Sequence, residues 1–300
     1  MGLAASTDLF TKIAHDVYFG SRVPSAAHLA AGDSAQCLVL SQARVEVSPS
    51  AEDLVPCHPK HGSSDTWCIQ RCLVSTINEI PKNDGILRVV AISDTHCKQE
   101  FLHRRVPDGD VLVHCGDVLM SSVRFSDGEN RRRAIAFNVW LGTLPHEHKI
   151  VVPGNHDGFL QRLGVEKAQR LLSNATYLVD AGVQIRGLQF WGTPVSWGHS
   201  RNDAFQQHHD ETHVSKIPKN VDVLISHGFP FERLDSFRRK IMSVQPMVHF
   251  CGHWHSGSGV HFWSNICTVN CSLLNGKYRL KHHPAVVHLP AGRNGHPSCL

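Results

Sequence analysis

Five apolar segments of this 300-residue chain each end directly in a cluster of polar residues. The clusters are Asp94-Thr95-His96, Gly116-Asp117, Gly154-Asn155-His156-Asp157, Ser226-His227-Gly228 and Gly252-His253-Trp254-His255. The segments before them, such as Leu87–Ile92 and Val111–His114, are rich in β-branched residues, which indicates buried strands. Because ligands bind at the carboxyl ends of strands in α/β sheets, we expect the five clusters to converge on one edge of the fold.

Helical periodicity separates several of these strands. Residues Glu129–Leu141 and Leu160–Leu172 both carry apolar side chains at helical spacing, so each segment predicts one helix. Strands that alternate with helices predict βαβ units and a layered α/β domain. Beyond Thr176 the pattern becomes strand-rich, and Arg186-Gly187 between two apolar runs predicts a hairpin turn.

Residues 1–84 differ in composition and periodicity from the rest of the chain. They are rich in Ala, Ser and scattered Pro and show little periodicity, which predicts a partly irregular N-terminal extension ahead of a domain of residues 85–300. The extension contains a group of cysteines and histidines at spacings that fit no standard zinc finger: Cys57, His58, His61, Cys68 and Cys72. A zinc site and a loop with free thiols both stay open for this group.

Composition narrows the functional classes. The formal net charge is only +4, so binding to a nucleic-acid polymer is not expected. Apolar runs stay below the roughly 18 residues that span a bilayer, and the N-terminus lacks the features of a secretory signal. The irregular cysteine spacing indicates a reducing compartment, which predicts a cytoplasmic protein. Residues Met1–Ser6 fit the pattern for myristoylation of Gly2, which would give weak membrane association.

The polar clusters offer the donor atoms of a metal site. Aspartate, asparagine and histidine are hard-to-borderline ligands that suit Mn, Fe, Zn, Co or Mg. Asp94 and His96 lie two residues apart, so on an extended backbone they would face the same way and chelate one ion. His253 and His255 share this spacing, and the two oxygens of Asp117 can bridge two ions.

In this order the five clusters resemble the calcineurin-like metallophosphoesterase superfamily. The resemblance extends from about Leu87 to Pro290 and is strongest to the small metallophosphoesterase-domain proteins of the brain 239 type. These proteins share stretches similar to Gly109–Asp117 and Trp140–Pro145, whereas residues 1–84 match nothing in the family pattern. The resemblance implies a calcineurin-like β-sandwich flanked by helices, with the metal site at the carboxyl ends of the strands.

The resemblance also implies a role for each site residue. Two sets of metal ligands would share one aspartate: Asp94, His96, Asp117 and His255 for the first ion, and Asp117, Asn155, His227 and His253 for the second. His156 would be the catalytic histidine that faces the substrate without binding metal, with Asn155 beside it on the substrate side. Many relatives carry glutamate in place of Asp157, and we expect either carboxylate to orient His156 through a hydrogen bond.

The implied chemistry is hydrolysis of a phosphoester. Two ions roughly 3.5–4 Å apart would lower the pKa of a bridging water, and the resulting hydroxide would attack phosphorus in line. His156 would either protonate the leaving oxygen or hold it by a hydrogen bond. Protein serine/threonine phosphatases continue the second motif into Asp-Arg-Gly, whereas here Asp117 is followed by Val118–Ser122. The resemblance therefore implies a phosphodiesterase for small substrates, with cyclic nucleotides among them.

One further segment is a candidate for substrate binding. Residues near Gly192–Gln207 include aromatic, histidine and arginine side chains that could line a pocket: Trp191, Trp197, His199, Arg201 and His208. Arg201 could pair with a phosphate and the aromatic residues could stack on a base, although a surface loop with core tryptophans fits the same pattern. Two other classes of function stay open: a metal-binding scaffold with little turnover, and a membrane-associated regulatory module that acts through Gly2.

Overall fold

The computed structural model describes residues 36–40, 67–71, 85–102, 104–121, 124–197, 201–206, 211–231 and 235–291. The predicted modification of Gly2 and the roles of His199 and His208 concern residues outside these ranges. The zinc alternative around Cys57 also lies outside them, except for Cys68 in the range 67–71. The predicted domain boundary between residues 84 and 85 stays a prediction.

Two sheets account for the strands of the described ranges. The first contains β1 (Gln36–Leu40), β2 (Trp67–Arg71), β3 (Ile86–Ile92), β4 (Val111–His114), β5 (His148–Val151), β6 (Thr176–Tyr177) and β13 (Ala285–Pro290). The second contains β7 (Ala181–Ile185), β8 (Leu188–Thr193), β9 (Val223–Ser226), β10 (Val248–Cys251), β11 (Gly259–Trp263) and β12 (Ile266–Asn270).

Strand order groups the parallel strands side by side in each sheet. The first sheet runs β1-β2-β13-β3-β4-β5-β6, with β3 to β6 parallel and β13 antiparallel to β3. The second runs β11-β12-β10-β9-β8-β7, with β12, β10, β9 and β8 parallel. Strands β1 and β2 come from the predicted extension and lengthen the first sheet through pairing of β2 with β13.

The core follows from the alternation of side chains along the strands. Val89 of β3 and Ile225 of β9 belong to the apolar layer between the two sheets, where residues of both sheets pack together. Val90, the neighbour of Val89, belongs to a second layer on the other face of the first sheet, where it meets helical residues such as Phe137. This arrangement confirms the predicted β-sandwich flanked by helices.

Five α-helices connect the strands in the described ranges: α1 (Asp127–Gly142), α2 (Gly158–Leu163), α3 (Val165–Leu171), α4 (Glu211–Val214) and α5 (Asp235–Val244). A capping box begins α1, because the Ser126 hydroxyl accepts from the Glu129 amide while the Glu129 carboxylate accepts from the Ser126 amide. None of the helices in the described part of the chain is long and apolar enough to cross a membrane.

The single helix predicted over Leu160–Leu172 is wrong. Gly164 separates α2 from α3 with a φ of 78° and a ψ of 157°, so the backbone leaves the helical region at this residue. The buried face is nevertheless kept, since Leu160, Ala168 and Leu172 all lie in the core. The hairpin predicted at Arg186-Gly187 is confirmed, because these two residues join the antiparallel strands β7 and β8 with positive φ.

Candidate metal centre

The polar clusters lie at the carboxyl ends of five parallel strands. Asp94 and His96 follow β3, and Asp117 follows β4. Asn155 and His156 follow β5, His227 follows β9, and His253 and His255 follow β10. An isolated parallel bridge pairs Ser93 after β3 with Ser272 after β12, so the two sheets meet at this edge. The structure therefore brings together the clusters that the sequence predicts to converge.

The backbone that carries the first cluster is left-handed. Asp94 has a φ of 56° and His96 a φ of 44°, so the extended backbone expected between them is wrong. Hydrogen bonds to the next loop fix this conformation, because the Asp94 amide donates to the Gly116 carbonyl and the His96 amide to the Asp117 carbonyl, both at 3.0 Å. Non-glycine residues with positive φ are uncommon and concentrate at functional sites.

Two glycines permit the close approach of these loops. A Cβ atom on Gly154 would lie 2.8 Å from the His227 ring, and one on Gly252 would lie 2.6 Å from Oδ2 of Asp94. Real Cβ atoms do not approach other atoms this closely, so any side chain would push the loops apart.

One group of acceptor atoms forms around Asp94. Its Oδ2 accepts from Ser272 Oγ at 2.7 Å and from the His253 amide at 3.0 Å, whereas its buried Oδ1 accepts no hydrogen bond from any described residue. Nε2 of His255 lies 3.4 Å from this Oδ1, and Nε2 of His96 lies 3.9 Å from it.

Hydrogen bonds to the backbone set the tautomers in this group. Nδ1 of His96 donates to the Leu119 carbonyl and Nδ1 of His255 to the Asn275 carbonyl, both at 3.0 Å. In the neutral rings both Nε2 atoms therefore present lone pairs, and they lie 3.3 Å apart. Lone pairs that face one another beside an unpaired carboxylate oxygen require a cation or a proton between them.

A second group of acceptor atoms forms around Oδ1 of Asp117. Nε2 of His227 lies 3.3 Å from Oδ1 of Asp117 and 3.0 Å from Oδ1 of Asn155, while Nδ1 of His227 donates to the Cys115 carbonyl at 2.8 Å. Asn155 uses its amide nitrogen to donate to the Asn202 carbonyl at 2.7 Å, which turns Oδ1 toward His227. These atoms are again acceptors in the neutral state.

Asp117 and His253 complete the two groups. Oδ2 of Asp117 lies 3.6 Å from Nε2 of His96, so the two carboxylate oxygens face different groups. Nε2 of His253 donates to the Trp197 carbonyl, and its ring lies edge-on to the His227 ring with centroids 4.9 Å apart. The opposite ring nitrogen, Nδ1, is therefore the atom that His253 would offer to an ion.

Protonation of the site follows from these contacts. Burial would lower the pKa of His227, but the Asp117 carboxylate outweighs burial and raises it to about 10. Burial lowers the pKa of both His96 and His253 to about 4. Burial also opposes ionisation of Asp117, yet the adjacent His227 and His156 hold its pKa well below the usual range. A proton on His227 thus supplies positive charge where the acceptors converge.

The acceptor geometry fits divalent cations. Residues of the described ranges form three groups in which each side chain offers one ligand atom and all these atoms lie within 4.8 Å of one another. The groups are Asp94, His96 and His255; His96, Asp117 and His156; and Asp117, His227 and His253. Buried carboxylate and imidazole acceptors with second nitrogens tied to backbone carbonyls are the usual surroundings of a metal ion.

The hydrogen bond predicted between Asp157 and His156 is wrong. The Asp157 carboxylate accepts from the backbone amides of Leu119 and Gly154, both at 2.8 Å, and of Val118 at 3.3 Å. Nδ1 of His156 instead donates to the Met120 carbonyl. Asp157 therefore ties together the loops that follow β4 and β5 and acts on His156 through the backbone. Burial and the nearby Asp117 charge raise the pKa of Asp157 to about 6.

Arg201, the predicted phosphate-binding residue, is exposed, and its role stays a prediction. The next residue, Asn202, has a structural role that the sequence analysis did not find, because its carbonyl accepts from Asn155 and its Oδ1 accepts from Ser121 Oγ at 2.8 Å. Ser272 and Tyr278 also border the site, since Ser272 holds Asp94 and the Tyr278 ring centroid lies 4.8 Å from that of His96. These three residues lie in loops without a motif, and only the structure identifies them.

Comparison with known proteins identifies the family of this chain. The family model of the calcineurin-like phosphoesterase superfamily domain matches residues 87–269, which is more than half of the chain. The chain belongs to this superfamily. The matched range contains every predicted metal ligand, from Asp94 to His255, and ends before Tyr278.

Relatives within the superfamily include small metallophosphoesterase-domain proteins. Human metallophosphoesterase domain-containing protein 1 is 32% identical over 259 residues, which cover 72% of this chain and 75% of the human protein. UPF0046 protein K07C11.7 of Caenorhabditis elegans is also 32% identical, over 81% of this chain and 89% of its own length. A solved structure titled as that of a novel archaeal phosphodiesterase aligns with 66% of this chain and 99% of its own, at 16% identity and a TM-score of 0.33, too low to carry an argument.

Proposed function

We propose that this protein is a dinuclear metal-dependent phosphodiesterase that acts on small phosphoesters, cyclic nucleotides among them. The observation that carries the proposal is the arrangement of Asp117, whose two oxygens face two separate groups of buried acceptor atoms. Such a carboxylate is suited to bridge two cations. Membership of the phosphoesterase superfamily makes a phosphoester the natural substrate class.

Each group supplies one ion site in this proposal. Asp94, His96, Asp117 and His255 would hold the first ion, and Asp117, Asn155, His227 and His253 the second. Divalent ions of the Mn, Fe, Zn, Co or Mg class, when bound, would activate a water and neutralise charge on the phosphoryl oxygens.

His156 interacts with the leaving group in the proposed reaction. Its Nδ1 proton is committed to the Met120 carbonyl, and its Nε2 lies 3.9 Å from Oδ2 of Asp117. A phosphoester placed beside Asp117 would therefore meet Nε2 of His156, which can protonate the leaving oxygen or hold it by a hydrogen bond. The tie between Nδ1 and Met120 keeps the ring in this position.

The choice of a small diester rests on the sequence. Asp117 continues into Val118–Ser122 without the Asp-Arg-Gly sequence of protein phosphatases. We further propose a cytoplasmic location, supported by the buried thiols of Cys115 and Cys271, and weak membrane association if Gly2 is acylated.

The decisive experiment is hydrolysis of bis-p-nitrophenyl phosphate by the full chain, with and without added Mn²⁺, beside Asp117→Asn. We expect metal-dependent release of p-nitrophenolate by the native protein. Asp117→Asn should lower the rate by more than about 100-fold, because both ion sites lose a ligand and even the loss of an outer-shell partner costs about 10- to 100-fold.

Asp203→Asn is the matched control, because Asp203 is exposed and its carboxylate lies outside both acceptor groups. The control should keep native activity and native metal content. Full activity in Asp117→Asn would refute the site assignment. Absence of hydrolysis with every divalent metal, in protein that still binds metal, would favour a metal-binding scaffold with little turnover.

A further inference from the structure

A tight turn after β12 borders the proposed active site. Leu274 and Leu280 form an isolated antiparallel bridge that closes the turn. Inside it, the Asn275 carbonyl accepts from the Tyr278 amide at 2.8 Å, and Oδ1 of Asn275 accepts from the amides of Lys277 and Arg279. The Asn275 carbonyl also accepts from Nδ1 of His255, so the turn is joined directly to a metal-ligand candidate.

The turn holds Tyr278 in a rare backbone conformation. Its φ is 55°, which is uncommon for a residue with a bulky side chain. Lys98, which follows the first polar cluster, donates from Nζ to the Tyr278 carbonyl and ties the turn to the loop after β3. The surrounding contacts therefore impose a position that tyrosine does not favour by itself.

The Tyr278 ring lies against three histidines of the site. Its centroid is 4.8 Å from that of His96 and 5.3 Å from that of His255, and both contacts are edge-on. The His156 ring, assigned above to the leaving group, lies 6.4 Å away. Tyr278 is only partly buried, so its side chain contacts these histidines and is also partly open to solvent.

The surroundings of the Tyr278 ring suit an anionic ligand with a planar group. Lys277 and Arg279 flank Tyr278 and are exposed, and Lys98 donates to the Tyr278 carbonyl. For a phosphoester whose phosphoryl group lies beside Asp117 and His156, the Tyr278 ring is within reach of the ester group, because its centroid lies 6.4 Å from that of the His156 ring.

We propose that Tyr278 is a specificity-determining residue that contacts the substrate and selects phosphoesters with an aromatic or other planar ester group. The inference rests on the proposed function for the position of the phosphoryl group. The ring would pack against the planar group, while the basic side chains around the turn attract the phosphate charge. A packing preference of this kind corresponds to about three- to tenfold in affinity.

The test compares binding of two phosphonates that are not hydrolysed, so it does not depend on turnover. Isothermal titration of the metal-loaded chain with phenylphosphonate and methylphosphonate gives the ratio of the two dissociation constants. We expect the native protein to bind phenylphosphonate about three- to tenfold more tightly. Tyr278→Phe should keep this ratio, and Tyr278→Leu should bring it close to one.

Two measurements separate substrate contact from simple packing. Metal content per chain and the methylphosphonate affinity should stay native in Tyr278→Leu, and Lys277→Ala should change both affinities by the same factor. The inference is overturned if the native protein binds both phosphonates equally or binds neither. It is also overturned if the ratio survives in Tyr278→Leu, or if the ratio falls only together with metal content.

Hydrolysis distinguishes failure of this inference from failure of the proposed function. A preference for phenylphosphonate that depends on Tyr278, in a protein that hydrolyses no phosphodiester, would refute the proposed function and leave the ligand contact established. Hydrolysis of bis-p-nitrophenyl phosphate, in a protein without that preference, would support the proposed function and refute the role of Tyr278.

Discussion

Each histidine at the edge of the sandwich is held by the ring nitrogen that faces away from the site. Nδ1 of His96, His156, His227 and His255 donates to a backbone carbonyl, and in His253 Nε2 has this role. Because carbonyls only accept, these contacts place the proton of each neutral ring on the outer nitrogen, and the inner nitrogen carries a proton only when the ring is an imidazolium. The ligand atoms are thus oriented before any ion arrives.

His156 offers the sharpest test of an individual role. We expect His156→Ala to retain native metal content, because the two proposed ligand sets do not include His156. The rate should fall by about 10²- to 10⁴-fold, the usual contribution of a positioned acid or hydrogen-bond donor. Metal analysis and hydrolysis of bis-p-nitrophenyl phosphate measure the two effects, with the exposed His283→Ala as control. Loss of metal in His156→Ala would instead make His156 a ligand.

Asp157 is predicted to stabilise the folded state. Its carboxylate accepts from three backbone amides, so in Asp157→Asn the new NH₂ group must face at least one of these donors. The free energy of unfolding should fall by about 1–3 kcal/mol. Urea unfolding at pH 8 with a chelator measures the change, and the exposed Asp203→Asn should show almost none. An equal stability of the Asp157 and Asp203 variants would contradict the role given to these hydrogen bonds.

Among the elements, the break between α2 and α3 depends on a single glycine. Gly164 has a φ of 78° and a ψ of 157°, a combination that only glycine adopts readily. We expect Gly164→Ala to lower the free energy of unfolding by about 1–3 kcal/mol, as measured in urea.

Gly276→Ala isolates the cause of that effect. A Cβ atom at either Gly164 or Gly276 would meet no described atom within 4 Å, but Gly276 lacks a positive φ. The control variant should therefore be neutral or slightly stabilising. Similar losses of stability in both variants would show that backbone conformation at Gly164 is not the reason.

The elements also show how far the sequence alone reaches. Apolar runs that end in polar clusters predict β3 and β4 to within one residue, because burial on both faces leaves a continuous apolar pattern. Helical periodicity could not reveal the break at Gly164, since the buried face continues across it. Strand β13 was not predicted from the sequence, and its place in the sheet depends on pairing with β3 between residues 200 positions apart, as at Arg88 and His288.

Side-chain partners were harder to predict than ligand positions. The spacing of Asp94 and His96 predicts that they share one group of acceptor atoms, as they do with His255, yet their left-handed backbone depends on amides that bond to the loop after β4. The partners of Asp157 are backbone amides of another loop, which no sequence pattern encodes. Tyr278 follows no apolar motif, and its position depends on Asn275 and Lys98.

For the molecule as a whole, buried neutral histidines predict sensitivity to acid. Burial lowers the pKa of His249 to about 3, and its ring contacts Ser226 Oγ at 2.8 Å and Thr268 Oγ1 at 3.3 Å beneath Phe237 of α5. Burial likewise lowers the pKa of His114 to about 3. Between these values and the unfolded pKa of about 6.5, the unfolded state binds more protons, so stability falls as pH decreases.

His249→Gln tests this dependence. Glutamine retains hydrogen-bonding groups but does not titrate, so the variant should lose less stability than the native chain between pH 7 and pH 5. The difference expected for one histidine is roughly 2 kcal/mol, from urea unfolding of the metal-free proteins. An identical pH dependence in both proteins would show that His249 is not a source of the acid sensitivity.

The division of ligand candidates between the two sheets has a consequence for biosynthesis. The group of Asp94, His96 and His255 and the group of Asp117, His227 and His253 each need residues from both halves of the chain. A ribosome that has just added His156 must add about 100 more residues before His255 exists, which takes roughly 5–20 s. During that interval an ion can meet only a partial set of ligands, so the complete centre is among the last features of the protein to form.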